Sequence, residues 1–502
     1  MKQLFVDDGI VQEIDNLARK LHQPQKFRGN AVIRPEHRWE NTGMQIRQAP
    51  VWVPEEGVFK IIYHAGAESV DPNASWSVSG YPPGEGFACY ATSTDGVNWE
   101  KPFLGLYDYP ALLWNGKPIG GQNNILPSAQ GLWMAPIYDP RDPDPRKRYK
   151  GMGVKSGNWG AGRTPVVSAD CIHWEFLDVP PVPSQDEAQL TYDEEKGLFI
   201  ATVKHGGPYG RSVYLTTSTD LEHWSEQKLI FHADQVDQEN GEERLARFFD
   251  DPRYLRPYVN RPEEYRTDVY HMGVFPYEGL YLGMPVMHHW SGKHLPMYEN
   301  VDSRKSIELT SSRDLRHWNR VADRAPFMEL SPVGDGSAYD TGQLEPANRP
   351  IVRNNELWFY YTGLRHRGMP LRDYVDRKHL DAGAICLARL RLDGFVSLKG
   401  GVEWGSVLTR PLVVDGRELH INVDSWRGQV RAEILDASDG TPIPGYTREE
   451  SIPAVIDSID QRLTWKDNAD LNALVGRAVR VRFSIFQAEL YAFWFAGGTS
   501  FP

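Results

Sequence analysis

Apolar and polar residues alternate with a period of two along most of the chain, and one recurring phrase interrupts the alternation. A strand-like run enters Ser/Thr/Arg-x-Asp, turns, and stops on an aromatic. CYATSTDGVNW ends at Trp99, VVSADCIHW at Trp174, YLTTSTDLEHW at Trp224 and IELTSSRDLRHW at Trp318. A fifth copy, ICLARLRLDGF, ends at Phe395. Asp or Gly tolerates the tight turn, and the aromatic plugs the end of the strand pair. Upstream of each copy lies a second strand of the same grammar: GVFKIIYHAG, RYKGMGVKSG, GLFIATVKHG, GLYLGMPVMHH and ELWFYYTGLRH. Before these, APVWVPEEG, APIYDPRDPDPRK, AQLTYDEEKG, MGVFPYEG and ANRPIVRNN align and add a third strand to each unit.

Five such units predict an all-β fold, a five-bladed β-propeller over residues 37–400, because radial repetition leaves no long exposed sheet edge. From residue 401 the grammar changes. LHINVDSWRGQVRAEILD and VRVRFSIFQAELYAFWF are long alternating strands that predict a C-terminal β-sandwich over residues 401–502. Residues 1–36 form an N-terminal extension in which QEIDNLARKLH places Ile14, Leu17 and Leu21 on one helical face, predicting a short helix that clasps a propeller edge. The insertions 231–268 and 364–382 are expected as loops on the pocket rim.

Charge narrows the partners. The chain has 502 residues, a net charge of −12 and no Lys/Arg-rich tract, which argues against nucleic acid. No window approaches eighteen uninterrupted apolar residues, which argues against a membrane span. The start MKQLFVDDGIVQEI lacks a basic stretch followed by an apolar one, so the cytoplasm is expected, or export with a leader already removed. Cys89, Cys171 and Cys386 each lie in a strand-like run without a C-x-x-C pair and are expected as buried free thiols. With no G-x-G-x-x-G, P-loop, G-x-S-x-G or H-E-x-x-H spacing, no cofactor, metal or serine nucleophile is expected.

In a propeller the innermost strand of each blade lines the axis, so residues just before the aligned inner strands converge although they are distant in sequence. Those positions are Arg47 and Gln48, Trp133 and Met134, Asp186 and Glu187, Tyr270 and His271, and Glu345 and Pro346, with Asp268 and Asp340 slightly upstream. The set is unusually polar for strand starts. Glycoside cleavage needs one protonated carboxyl to assist the leaving oxygen and one ionised carboxylate as base or nucleophile, and Asp186 or Glu187 opposite Glu345 supplies such a pair. Arg47 is expected to orient a substrate carboxylate or to hold one catalytic acid ionised, and Trp133, Tyr270 or Tyr277 to face the sugar. Gln48, Asp268 and Asp340 complete the expected substrate contacts. His64, His205, His271, His288, His289 and His366 cluster near strand ends, where hydrogen bonding to sugar hydroxyls or satisfied burial outranks metal ligation. Asp139-Pro-Arg-Asp142-Pro-Asp144 reads as a solvated turn, and Asp250-Asp251-Pro as either a funnel cover or a turn cap.

The Ser-x-Asp-x-x-x-Trp turns, ELWFYYTG and LRLDGFVSL resemble those of the five-bladed glycoside hydrolases that include β-fructofuranosidases, levanases, α-L-arabinofuranosidases and β-xylosidases, over about residues 30–400. Residues 401–502 resemble the sandwich appended to the fructofuranosidase branch. The resemblance implies an exo-acting glycosidase on a terminal, furanosidic or acidic sugar of an oligo- or polysaccharide, with the blade-three carboxylate of those families at Asp186 or Glu187. Blade one reads Arg47-Gln48 and blade two Trp133-Met134 where the resemblance calls for carboxylates, which relocates the second acid to Glu345. A non-catalytic carbohydrate-binding propeller and a glycoside phosphorylase are the alternatives.

Overall fold

A computed structural model describes residues 1–40, 43–68, 84–108, 113–114, 117–118, 120–127, 131–155, 162–294, 301–365 and 381–498. Among the described residues the regular structure is almost wholly antiparallel strand. Five sheets follow one another along the sequence, each packs against the next, and the fifth packs against the first. This is the ring the repeat predicts, and it places the first strand of every sheet on the inside. Those inner strands are Gly43–Gln45 with Val51–Val53, Met134–Tyr138, Ala188–Asp193, Arg266–Tyr277, and Gln343–Pro346 with Ile351–Arg353.

The recurring turn has a local cause. In VVSADCIHW the Ser168 hydroxyl accepts from the amides of Asp170 (3.2 Å) and Cys171 (3.0 Å), and Asp170 Oδ1 accepts from Ile172 and His173, each at 2.8 Å. Trp174 then donates its indole N–H back to the Cys171 carbonyl at 3.1 Å. The residue with positive φ is the one after the aspartate: Gly96, Cys171, Leu221 and Leu315 in the first four turns. The aspartate therefore serves as an acceptor for turn amides rather than as the residue that bends. In the fifth turn Asp393 itself has φ 60° and is held by the Tyr277 hydroxyl at 2.7 Å.

Two sequence expectations are corrected. QEIDNLARKLH is not helical: Val11–Asp15 and Leu17–Leu21 are strands separated by Asn16 at φ 50°. Val11–Asp15 pairs with Gly405–Thr409 and Leu17–Leu21 with Val396–Gly400, so this segment adds an edge strand to each sheet of the C-terminal sandwich, and Gln3–Leu4 adds a further strand to one of them. The apolar spacing of Ile14, Leu17 and Leu21 suits a helix, but open edges of two sheets offer those backbones better hydrogen bonds. The next strand, Gln25–Lys26, pairs with Gly383–Arg391 as an outer strand of the fifth sheet. The second correction lies in 231–268, where Gln235–Asp250 is an α-helix rather than part of a rim loop. A capping box between Asp234 and Asp237 starts it. It buries Leu245 and Phe248 and packs on Arg266–Tyr277 and Leu280–Lys293 so closely that a Cβ at Gly241 would lie 2.0 Å from Thr267 Oγ1.

The sandwich has its own core of Val, Leu, Ile and Phe residues that includes Leu419, Ile421, Val481 and Phe483. All three cysteines are buried free thiols. No helix among the described residues is long and apolar enough to cross a membrane.

Candidate active site

The inner strands deliver their polar residues where the strands are irregular. The first sheet's inner strand is broken between Gln45 and Val51, so Arg47 and Gln48 leave the ladder. In the fourth, the register shifts between Val269 and Met272, which re-aims Tyr270 and His271. Trp133 and Glu187 each immediately precede a strand, Met134–Tyr138 and Ala188–Asp193. Asn348 ties three sheets together behind them. It donates to the Leu190 carbonyl (2.8 Å) and Thr191 Oγ1 (2.9 Å), accepts from the Ala49 amide (3.0 Å), and sends its own amide to the Arg47 carbonyl (3.0 Å).

Arg47 donates from Nε and Nη2 to the two carboxylate oxygens of Glu187, both at 2.7 Å, and its guanidinium lies 5.4 Å from the Trp133 ring centre. Glu345 is completely buried. It accepts from His271 Nε2 at 2.8 Å and from the Lys305 ammonium. The Lys305 and Lys204 ammonium groups stand 3.2 and 3.7 Å from the centre of the Tyr270 ring. Lys204 donates at 2.6 Å to Asp186, whose side chain is 49% exposed against 12% for Glu187. Seven residues nominated from sequence thus fall into two clusters of ion pairs and ring contacts, one of Arg47, Glu187 and Trp133 and one of Asp186, Tyr270, His271 and Glu345 joined through Lys204 and Lys305, and Glu187 shares a cavity wall with Tyr270 and His271.

Burial and charge set the protonation states. Burial would raise the Glu187 carboxyl, but the charge and hydrogen bonds of Arg47 hold it well below the usual carboxylate range. Glu345 behaves likewise, its burial outweighed by Lys305, by the His271 hydrogen bond and by Arg47. Burial pushes the His271 ring below its ordinary value, against the opposing pull of Glu345. Burial also pulls the Lys204 ammonium down despite Asp186.

Among the described residues, several buried polar atoms of this region make no hydrogen bond: Gln48 Oε1, His64 Nε2, His271 Nδ1 and Gln343 Oε1. The His64 ring is stacked on Trp133, with centres 3.7 Å apart and planes at 6°, and burial together with Arg47 pushes its pKa down to about 3.

Asp268 and Asp340 are buried in separate pairs. Asp268 faces Arg211 (3.1 Å) and His288 Nδ1 (3.0 Å), and the hydrogen bond and charge of His288 outweigh its burial and bring it to about 2. His288 Nε2 faces Ser303 Oγ at 2.7 Å. Asp340 pairs with Lys26 at 2.5 Å, and the Tyr361 hydroxyl donates to it at 3.3 Å. His366 lies outside the described residues. Among the described residues, no group of three or more His, Cys, Asp or Glu side chains is placed to hold a metal. Asp139 and Asp142 pair with Lys150, each at 2.8 Å, Asp144 caps a short 3-10 turn, and Asp251 holds Arg253 just beyond the helix, all of them turn roles. Lys204, Lys305 and Gln343 were not nominated from sequence. The signal was present in two of them, as a lone lysine inside the otherwise strand-like runs GLFIATVKHG and VDSRKSIEL.

No family model matches the chain, and no curated protein matches it. Among solved structures, it is similar to a β-fructofuranosidase of Bombyx mori at 10% identity, with 95% of this chain and 94% of that chain covered and a TM-score of 0.42. It is similar at 12% identity and a TM-score of 0.42 to a structure described under mannoside phosphorylases and glycoside hydrolases that target β-1,2 mannosidic linkages in Candida mannan, covering 74% of this chain and 94% of that one. An N-acetylgalactosamine deacetylase from F. plautii, in complex with blood group B trisaccharide, is similar at 14% identity and a TM-score of 0.37, covering 76% of this chain and 96% of that one. Likeness at this level assigns no activity; the chemistry resides in the side chains of the site.

Proposed function

We propose that the protein is a glycosidase, exo-acting on a terminal sugar of an oligo- or polysaccharide, with its site at the inner ends of the five sheets. The observation that carries this reading is the set of buried, unpartnered polar atoms beside two carboxylates. Buried polar groups in folded proteins are nearly always hydrogen-bonded, and a polyol is a ligand whose many hydroxyls complete such a set. The stacked pair of Trp133 and His64 supplies a flat aromatic wall of the kind sugar rings pack on.

Glu187 is the ionised carboxylate that faces the sugar and stabilises positive charge developing at the anomeric carbon. Arg47 takes two of its roughly four acceptor positions and leaves the others for substrate. Asp186, half exposed and bonded to Lys204, delivers the proton to the leaving oxygen. Burial weakens the hold of Lys204 on that proton.

A panel of glycosides, assayed with and without inorganic phosphate, tests this. Glu187→Gln is expected to lower kcat by about 10²–10⁴-fold on every substrate cleaved by the wild type. Asp186→Asn is expected to cost that much on poor leaving groups and little on activated aryl glycosides, which need no protonation. Undiminished turnover in both variants overturns the assignment, and strict dependence on phosphate makes the enzyme a phosphorylase. One observation favours a second reading, a carbohydrate-binding propeller without catalysis: Glu187 and Glu345 are each matched by a buried cation, Arg47 and Lys305. Sugar binding without turnover, unchanged in Glu345→Gln, identifies that case.

A further inference from the structure

Both oxygens of Glu187 are engaged by Arg47, and those of Glu345 by Lys305 and His271. A carboxylate gripped by cations in this way is a weak base. Among the described residues two buried imidazole nitrogens are left over, and since the His64 ring is pushed down to about 3, the more basic lone pair is that of His271. Its Nε2 stands 2.8 Å from a Glu345 oxygen, and an ionised carboxylate can only accept, so Nε2 carries the ring proton. Burial keeps the ring neutral, which leaves Nδ1 as a bare acceptor. That atom is buried and has no hydrogen-bond partner among the described residues. His271 also shares the wall of a small cavity with Glu187, Lys204, Ser212 and Tyr270.

We infer that His271 is the catalytic base of this site and that Glu345 is a positioning residue acting through it. The inference rests on the glycosidase reading and adds the identity of the proton acceptor. His271 Nδ1 takes a proton from a water molecule while the water oxygen forms its bond to the anomeric carbon. The bond from that carbon to the leaving oxygen breaks, and its electron pair stays on the oxygen. That oxygen receives the proton passed from Lys204 through Asp186. The imidazolium afterwards releases its proton to solvent and Lys204 takes one up, which restores the starting state. Glu345, locked by Lys305, fixes the tautomer and stabilises the imidazolium as it forms. The other charges facing the ring are Glu187, which favours the imidazolium, and Arg47, which opposes it; Lys204 and Lys305 flank the neighbouring Tyr270.

On the best glycoside of the panel, His271→Asn is expected to lower kcat by about 10²–10⁴-fold while KM stays within about threefold. In the wild type, kcat/KM should fall on the acid side, below pH 6.5, the ordinary value for the ring. Glu345→Gln should move that limb to lower pH, because the carboxylate it removes raises the ring pKa, and packing alone would not shift the limb. Should Glu345→Gln fail to fold, long-range 1H–15N spectra of the wild type decide, with the His271 signals identified by their loss in His271→Asn. The expected result is a neutral Nε2–H tautomer at pH 7. An Nδ1–H tautomer overturns the inference, as does full activity in His271→Asn beside an active wild type. A wild type that cleaves nothing in the panel overturns the glycosidase reading instead.

Discussion

At the scale of single residues, the fold keeps protons off ionisable groups at acidic pH values where water would add them. His64 and His288 are both pushed down to about 3, chiefly by burial. In the unfolded chain these rings take up protons as the pH falls below 6.5, whereas in the folded chain they stay neutral until about 3. The unfolded state therefore binds more protons across that window, and stability falls as the pH drops through it. The depressed carboxyls of Glu187 and Glu345 act in the same direction lower down. Their contribution is complete above their ordinary value of 4.5 and is lost as the pH falls below it. The expected outcome is a melting temperature that declines from pH 6.5 to pH 4.5, before the carboxyls contribute. His64→Gln should make this decline shallower, and an unchanged slope in that variant would show that His64 is not its source.

At the scale of elements, the Ser-x-Asp turn with its aromatic plug was legible because its cause is local: the serine and aspartate side chains bond to amides two and three residues on. The plug also belongs to the core between the first two sheets, a cluster that includes Trp174, Tyr149 and Leu132 together with Ile62 and Tyr90. Trp174→Ala is expected to destabilise the protein by about 3–5 kcal/mol, as large aromatic truncations do, read as a lower urea midpoint. The helix Gln235–Asp250 is hard to read from the sequence because its composition is mostly polar, although the Asp234/Asp237 capping box marks its start. The helix expected over QEIDNLARKLH failed for the opposite reason. Its spacing suits a helix, but its hydrogen-bond partners lie near residues 396–409, beyond the reach of any local pattern.

At the scale of the whole molecule, the N-terminal segment links the two halves. Gln3–Leu4, Val11–Asp15 and Leu17–Leu21 belong to the sandwich sheets, and Gln25–Lys26 belongs to the fifth sheet of the ring. Removing residues 1–26 is therefore expected to lower the melting temperature and to expose strand edges that promote association; a shortened chain that melts and elutes like the full-length one would refute this. Taken by itself, the sequence determined the all-β character and the repetition of the strand-and-turn unit, because alternation and turn chemistry act over neighbouring residues. Of the residues expected at inner-strand starts, Trp133 and Glu187 lie there, whereas Arg47 and Gln48 fall in a break, Tyr270 and His271 inside Arg266–Tyr277, and Glu345 near the end of Gln343–Pro346. Tertiary structure alone decided which charges meet. Arg47 finds Glu187 across 140 residues and Glu345 finds His271 across 74, pairings produced by closure of the ring. It also decided the protonation states, since these depend on how far the closed ring excludes water from each group.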